Sequence, residues 1–317
     1  MNTLSDENLA KEIRTQAIQC GYEDCGIIPV IDLDGYQDRL QKRRQEVPES
    51  IPFYAFADLF VGIKQQHSWA KSVLICIDWY GDYKYPERLQ GKYAKDYLLS
   101  CDGPLNIATH QNRLGLEKWL TQKGIRWAGG EENSPAGLLP LRYAAVAAGL
   151  GIIRKNNFFY TEKGSRYRLK GYLLDCDCTL KQARQVRACP EKCSLCQKAC
   201  LTDALSAPFT MNPMKCVSFL TTFGGGTVPD GLQAGRFGNW LCGCDACQDA
   251  CPHNYHDWSQ GMDFPGLSDL VEMLQPENLC TASDAALIEK VIPLTDSHIL
   301  PQNVETLRNN ARRVLQK

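Results

Sequence analysis

Cys189-x3-Cys193-x2-Cys196-x3-Cys200, then Cys216, then Cys244-x2-Cys247-x3-Cys251-Pro252 is the stretch in which spacing dictates chemistry. A 4Fe-4S cube takes four thiolates, three of them commonly from one short loop, because a two-residue gap lets successive sulfurs reach different irons. In two-cluster ferredoxins the fourth cysteine of each run ligates the other cluster, which interlocks the runs. The spacing therefore predicts one cluster on Cys189, Cys193, Cys196 and Cys251, and a second on Cys216, Cys244, Cys247 and Cys200. Two departures stand out: the first gap is three residues, and Leu201 rather than proline follows Cys200. Neither removes a ligand. A pair of structural zinc sites also uses four thiolates with two-residue gaps, but the paired runs fit cross-ligated clusters better. Cys242 is a spare, read as a buried thiol.

The composition around this stretch is ordinary. The chain has 317 residues, 44% hydrophobic and 22% charged, with a net charge of -1, which excludes a wholly disordered or collagen-like chain. A protein of this length buries about 75% of its unfolded surface, so it needs no metal merely to fold, and the cysteine motifs read as chemistry. The first twenty residues mix acids and bases with apolar residues at helical spacing, unlike a signal peptide. The longest apolar run, Ala144–Ile153, contains two glycines and is too short to span a bilayer. These features predict a cytoplasmic protein without a membrane partner. In a reducing compartment, 16 cysteines argue for metal rather than for disulfides.

The fold class expected is α+β. Residues 1–185 alternate helix and strand: a helix from Ser5 to Gly21, a strand over Cys25–Val30, and a strand over Ser72–Tyr80 apolar on both faces, as suits a sheet covered on both sides. A helix over Gln111–Lys123, a polar loop over Gly129–Gly137, a small-residue helix over Leu141–Gly151 and a strand over Lys170–Asp175 follow. Residues 186–257 form a ferredoxin-like two-cluster domain, and 258–317 a helical tail. Phe223-Gly-Gly-Gly-Thr227 reads as a flexible loop. Residues 154–187 hold nine Lys or Arg against three acids, a run that suits either a phosphate-bearing partner or a solvated face. Cys176-Asp-Cys178 and the scattered Cys20, Cys25, Cys76, Cys101 and Cys280 read as structural thiols.

The order of elements resembles the epoxyqueuosine reductase family and, more distantly, the reductive dehalogenases. The pieces are Gly21-Tyr-Glu-Asp-Cys-Gly-Ile-Ile-Pro29, Ala144–Gly151 with Lys155-Asn156, Leu169-x-Gly171-x-Leu173, Lys215-Cys-Val-Ser-Phe-Leu-Thr221, and Gly243–Pro252 with Asn254. The resemblance implies a nitroreductase-like cobalamin-binding α/β domain ahead of the ferredoxin-like one, two 4Fe-4S clusters feeding a cobalamin, and a protein acid supplying a proton. It implies Arg142, Lys155, Asn156, His253 and Asn254 as cofactor contacts, a flavodoxin or ferredoxin as electron donor, and tRNA as a partner. Where the family has an aspartate in an Asp-Thr/Ser-Gly-Pro stretch, this chain reads Glu131-Glu-Asn-Ser-Pro-Ala-Gly-Leu-Leu-Pro140. Glu132 and Tyr143 are therefore the catalytic candidates. The competing expectation is a two-cluster electron-transfer protein without substrate chemistry; a zinc-bearing nucleic-acid-binding protein is the third.

Overall fold

The computed structural model describes residues 3–99, 107–129, 138–293 and 304–316. The chain divides into two compact units, residues 1–79 with 111–190, and residues 80–110 with 191–317. The unit carrying most of the cysteine runs thus takes in residues 80–110, which the order along the chain assigns to the N-terminal domain, and the C-terminal tail, which that order sets apart.

The first unit is built on an antiparallel sheet. Its strands, in chain order, are β1 (Asp24–Pro29), β2 (Ser72–Trp79), β3 (Trp127–Gly129), a short β4 (Ile152–Ile153) and β5 (Phe159–Tyr160) hairpin, and β6 (Tyr167–Leu174). The main sheet runs β1-β2-β6-β3, with Cys25 opposite Cys76 and Ile75 opposite Gly171. Successive β2 residues point to opposite faces, and seven of its eight are buried, so both faces must be covered. Leu74, Cys76, Tyr172 and Leu174 meet Ala10, Ile13 and Ala17 of α1 (Thr3–Gln19) and two leucines, Leu116 and Leu120. Val73, Ile75, Ile77 and Leu173 meet Ala144, Ala145 and Ala148. The unit also holds α2 (Tyr36–Glu46), α3 (Ile107–Gln122), which carries Leu116 and Leu120, and α4 (Leu141–Ala147).

Small residues let α4 lie close on the sheet. A methyl group on Gly26 would come within 2.9 Å of the Ala148 Cβ, and one on Gly171 within 2.6 Å of Leu141. Gly149, just past α4, has φ +72°, and a Cβ there would sit 1.9 Å from the Gln182 carbonyl oxygen. That approach serves pairing: Gln182 N donates to Ala148 O at 2.9 Å and Arg184 N to Gly149 O at 3.3 Å. Gly149→Ala faces both a left-handed backbone and a backbone clash, so it should destabilise the protein by about 2 kcal/mol or more. Denaturant unfolding checks this, and a loss below about 0.5 kcal/mol, the range of neutral surface changes, would contradict it.

The second unit has its own core, in which Tyr80, Tyr85, Leu89, Tyr93, Leu98 and Leu99 from the inserted segment pack with Leu241, Cys242, Trp258 and the tail residues Leu274, Leu279 and Leu307. Cys242 is fully buried there, and burial pushes its thiol well up. The glycine loop after Phe223 is held rather than flexible: Asn309 and Asn310 of the last helix, α5 (Val304–Leu315), donate to Gly225 O at 3.3 Å and Thr221 O at 2.8 Å. Among the described residues no helix is long and apolar enough to cross a membrane.

Candidate functional site

The two cysteine runs fold alike. Each Cys-x2-Cys-x3-Cys places its middle cysteine in a one-turn helix starting two residues after the first, Leu195–Lys198 and Ala246–Asp249, and these two helices pack together. Cys200 ends the first run in sequence, yet its electrical neighbours are Cys216, Cys244 and Cys247 of the second set. Burial raises the Cys216, Cys244 and Cys247 thiols, and Cys200 adds to the rise at each of them. Backbone amides of Ser218 and Phe219 at Cys216, and of Ala246 at Cys244, oppose it. Four thiols that burden one another as anions make a set that a cationic metal core relieves, with N–H groups already directed at the sulfurs. Cys200, Cys216, Cys244 and Cys247 supply four thiols, the donor chemistry that a cube takes. Among the described residues no three Cys, His, Asp or Glu stand close enough for a single metal ion.

The inserted segment braces the second cysteine loop, which no local sequence signal announced. Ala94 N donates to Cys242 O at 2.9 Å, and a Cβ on Gly243 would sit 2.5 Å from Ala94 Cβ and 2.6 Å from the Tyr97 ring. The Tyr97 hydroxyl meets Ser218 Oγ at 2.8 Å. Lys95, 4% exposed, ties the loop down: its backbone N–H donates to Asp245 Oδ2 at 3.0 Å, and its Nζ lies 3.2 Å from Asp245 Oδ2 and 3.1 Å from Asp249 Oδ1. Its ammonium also lies 5.2 Å from the Trp258 ring centroid. Asp245 follows Cys244 directly, and Asp249 lies between Cys247 and Cys251, so one buried cation fixes a loop holding three expected ligands.

Beyond that loop, Asn254 is buried and its Nδ2 donates to Gln248 O at 3.0 Å, closing the turn after Cys251. His253 is half-buried. A cavity of about 540 Å³ follows, lined among others by Tyr85, Tyr255, His256, Trp258 and Phe264.

In the first unit, residues 154–157 clamp the approach to Cys189. Arg154 Nη1 stands 3.9 Å from Cys189 Sγ, its Nη2 donates to Arg187 O, and Lys155 Nζ donates to Pro190 O at 3.0 Å. Asn156 turns inward, its Nδ2 donating to Tyr160 Oη at 2.8 Å. The expected contacts Lys155 and Asn156 each make a hydrogen bond within the chain. Glu132 lies outside the described residues. Within the basic run Lys163 pairs with Glu23 and Lys181 with Asp32, each at 2.8 Å, Arg184 with Asp24 at 3.0 Å, and Arg166 is fully buried. Cys176 and Cys178 stand 3.6 Å apart; hydrogen bonding between them pulls the Cys176 thiol down and pushes Cys178 up.

Arg142 and Tyr143 open α4 and meet α2. Arg43 Nη2 donates to Asn157 Oδ1 at 3.0 Å, and Arg142 Nη1 donates to Asn157 O. Asn157 holds both from a left-handed backbone, φ 66°. Arg39 shares this field. Burial lowers both Arg142 and Arg39, and Arg43 lowers each further by repulsion. Arg142 is solvent-accessible. The Tyr36 and Tyr143 rings cross edge-on at 5.8 Å.

Residues 188–254 match a 4Fe-4S double cluster binding domain. The chain is 28% identical over 265 residues to the epoxyqueuosine reductase of Cellulophaga algicola, spanning 80% of this chain and 81% of that one. It is 27% identical over 256 residues to that of Leadbetterella byssophila, spanning 77% and 80%. With that of Synechococcus sp. (strain CC9605) identity is 36% over 175 residues, 54% of this chain and 50% of the relative. Among solved structures, epoxyqueuosine reductase from Bacillus subtilis, with its catalytic aspartate loop swung out of the active site, gives a TM-score of 0.73 at 24% identity, covering 97% of this chain and 81% of that one. A complex of the enzyme with a tRNA-Tyr epoxyqueuosine-modified stem loop gives 0.69 at 22%, with the same coverage. The chain is thus similar to epoxyqueuosine reductases in sequence, and shares with their structures a mixed helix-and-sheet fold.

Proposed function

We propose that this protein is an iron-sulfur reductase of the epoxyqueuosine reductase kind, acting on a modified nucleoside in tRNA. The observation that carries the reading is the match of residues 188–254 to a 4Fe-4S double cluster binding domain, in a chain aligned over about four fifths of its length with named epoxyqueuosine reductases. On this reading Cys189, Cys193, Cys196 and Cys251 hold a second cube. Two clusters store and pass electrons singly, which a reductase needs between a one-electron donor such as a flavodoxin or ferredoxin and its substrate.

The first unit takes the nitroreductase-like role of residues 1–185 in the family plan. Cobalamin, which the resemblance implies, would supply low-valent cobalt as the reductant when bound. The chain's own residues bind and donate. Arg142 presents an accessible guanidinium beside Tyr143 at the start of α4, and His253 and Asn254 close the last cysteine loop. Opening an epoxide leaves charge on the departing oxygen, so a proton must reach that atom. Tyr143 is the donor this chain supplies among its described residues, with Glu132 as the carboxylate alternative. Lys155 and Asn156 act by shaping the turn that carries Arg154 to the Cys189 sulfur.

The test is a single turnover. Protein prepared without oxygen, loaded with iron, sulfide and cobalamin and then reduced, is mixed with a stem loop containing epoxyqueuosine, and the nucleosides are separated. Loss of epoxyqueuosine within one enzyme equivalent is expected. A fully loaded, fully reduced protein that leaves the nucleoside intact would overturn the substrate assignment and leave a two-cluster electron carrier.

A further inference from the structure

We infer that Arg39, Arg43 and Arg142, together with the aromatic run beside them, form a binding site for a nucleotide phosphodiester. The inference deepens the proposed function, on which it rests only for the two sources of such a group: the RNA substrate and the nucleotide tail of cobalamin.

The arginines are placed by two elements. Tyr36, Arg39 and Arg43 recur along α2 at spacings of three and four, so they share one helix face, and Arg142 comes from the first turn of α4. The other cations of α2 are paired: Lys42 lies 4.0 Å from Glu46, and Arg44 lies 2.9 Å from Asp58. Among the described residues, none of Arg39, Arg43 and Arg142 is drawn into an ion pair. Their neighbours are instead an amide, Asn157, and the rings of Tyr36 and Tyr54, the latter 5.1 Å beneath the Arg43 guanidinium. Like charges held together without a counter-charge cost stability. An anion seated among them removes that cost and takes up guanidinium N–H groups that the bonds to Asn157 leave over. A planar fork of donors suits a phosphate bidentately.

The rings beside the arginines specify the kind of phosphate. Phe53, Phe56, Phe60, Tyr36 and Tyr143 follow one another in contact, with centroids at 5.5, 5.9, 6.4 and 5.8 Å. The run begins at a surface where Phe56, Ile51 and Leu59 are 40%, 45% and 58% exposed, and it ends at Tyr143. Phe56 is the exposed ring of the run and the others pack behind it; an exposed ring stacks on a base while guanidinium groups hold the backbone, so a phosphate next to a planar heterocycle suits the arrangement. Free inorganic phosphate has no use for the rings.

The experiment uses the full chain with its clusters loaded and requires no turnover. Arg39→Gln, Arg43→Gln and the double variant are compared with the parent in two binding assays: anisotropy of a labelled, epoxyqueuosine-bearing stem loop across a salt series, and cobalamin uptake by dialysis and visible absorption. If RNA is the occupant, stem-loop affinity falls roughly tenfold in the double variant and the slope of log affinity against log salt drops by about one for each phosphate no longer held, with cobalamin uptake unchanged. If the cofactor tail is the occupant, cobalamin uptake falls instead. Unchanged affinity for both, at unchanged melting temperature and iron content, overturns the inference. Because Arg43 is buried on Tyr54, its loss also weakens packing. Arg39→Gln therefore carries the test where the Arg43 variants melt early, and Arg39→Lys should restore part of the lost affinity. A protein that binds through these arginines yet never reduces epoxyqueuosine would fail the function proposed above and still satisfy this one.

Discussion

Changing Cys200 to alanine should remove the same cluster as changing Cys247 to alanine, although Cys200 closes the other cysteine run. Iron should fall from about eight to about four atoms per chain in each variant, and the electron paramagnetic resonance signal that remains on reduction should be the same in both. The reason is the interlocking of the two runs, in which the fourth cysteine of each ligates the other cluster, so Cys200 joins Cys216, Cys244 and Cys247. Changing Cys193 should leave the opposite signal. If Cys200→Ala and Cys193→Ala retain one signal in common and Cys247→Ala the other, each run holds its own cluster and the cross-ligated assignment is wrong.

Lys95→Met should be nearly as damaging while touching no ligand. The substitution keeps the length of the side chain but leaves the Asp245 carboxylate, 1% exposed, without its ammonium in a buried setting. Removing one partner of such a pair typically costs about 3–5 kcal/mol, and here the orphaned charge lies next to Cys244. Both a lower unfolding free energy and loss of the cluster on Cys200, Cys216, Cys244 and Cys247 are expected. Asp249→Asn, at a half-exposed partner, should cost less than about 1 kcal/mol and retain iron. Full iron content and an unchanged unfolding midpoint in Lys95→Met would show that the inserted segment does not hold the loop.

Much of this architecture is legible along the chain itself. Strand β2 announces itself as apolar on both faces, and both faces are covered. The helix of alanines and glycines is readable as one that lies close to its neighbour, and Gly26 and Gly171 show how close. The charge run over 154–187 is only partly legible for a physical reason: a tally along the chain counts Lys163, Lys181 and Arg184 but not the acids at 23, 24 and 32 that fold back onto them. The arginines of α2 escape notice for the converse reason, since only the fold brings Arg142 to Arg39 and Arg43.

What the sequence determined by itself is the inorganic chemistry, because ligand spacing within a loop is a local property: Cys-x2-Cys-x3-Cys specifies a cluster loop wherever it is placed. It also determined the two-faced sheet, because strand periodicity is local too. Tertiary structure alone decided that residues 80–110 belong with the cluster unit and that Lys95 anchors its loop. It likewise decided which cations are neutralised and which are left together. Each of these depends on contacts between residues tens to hundreds of positions apart, where burial and charge act through space and leave no pattern along the chain.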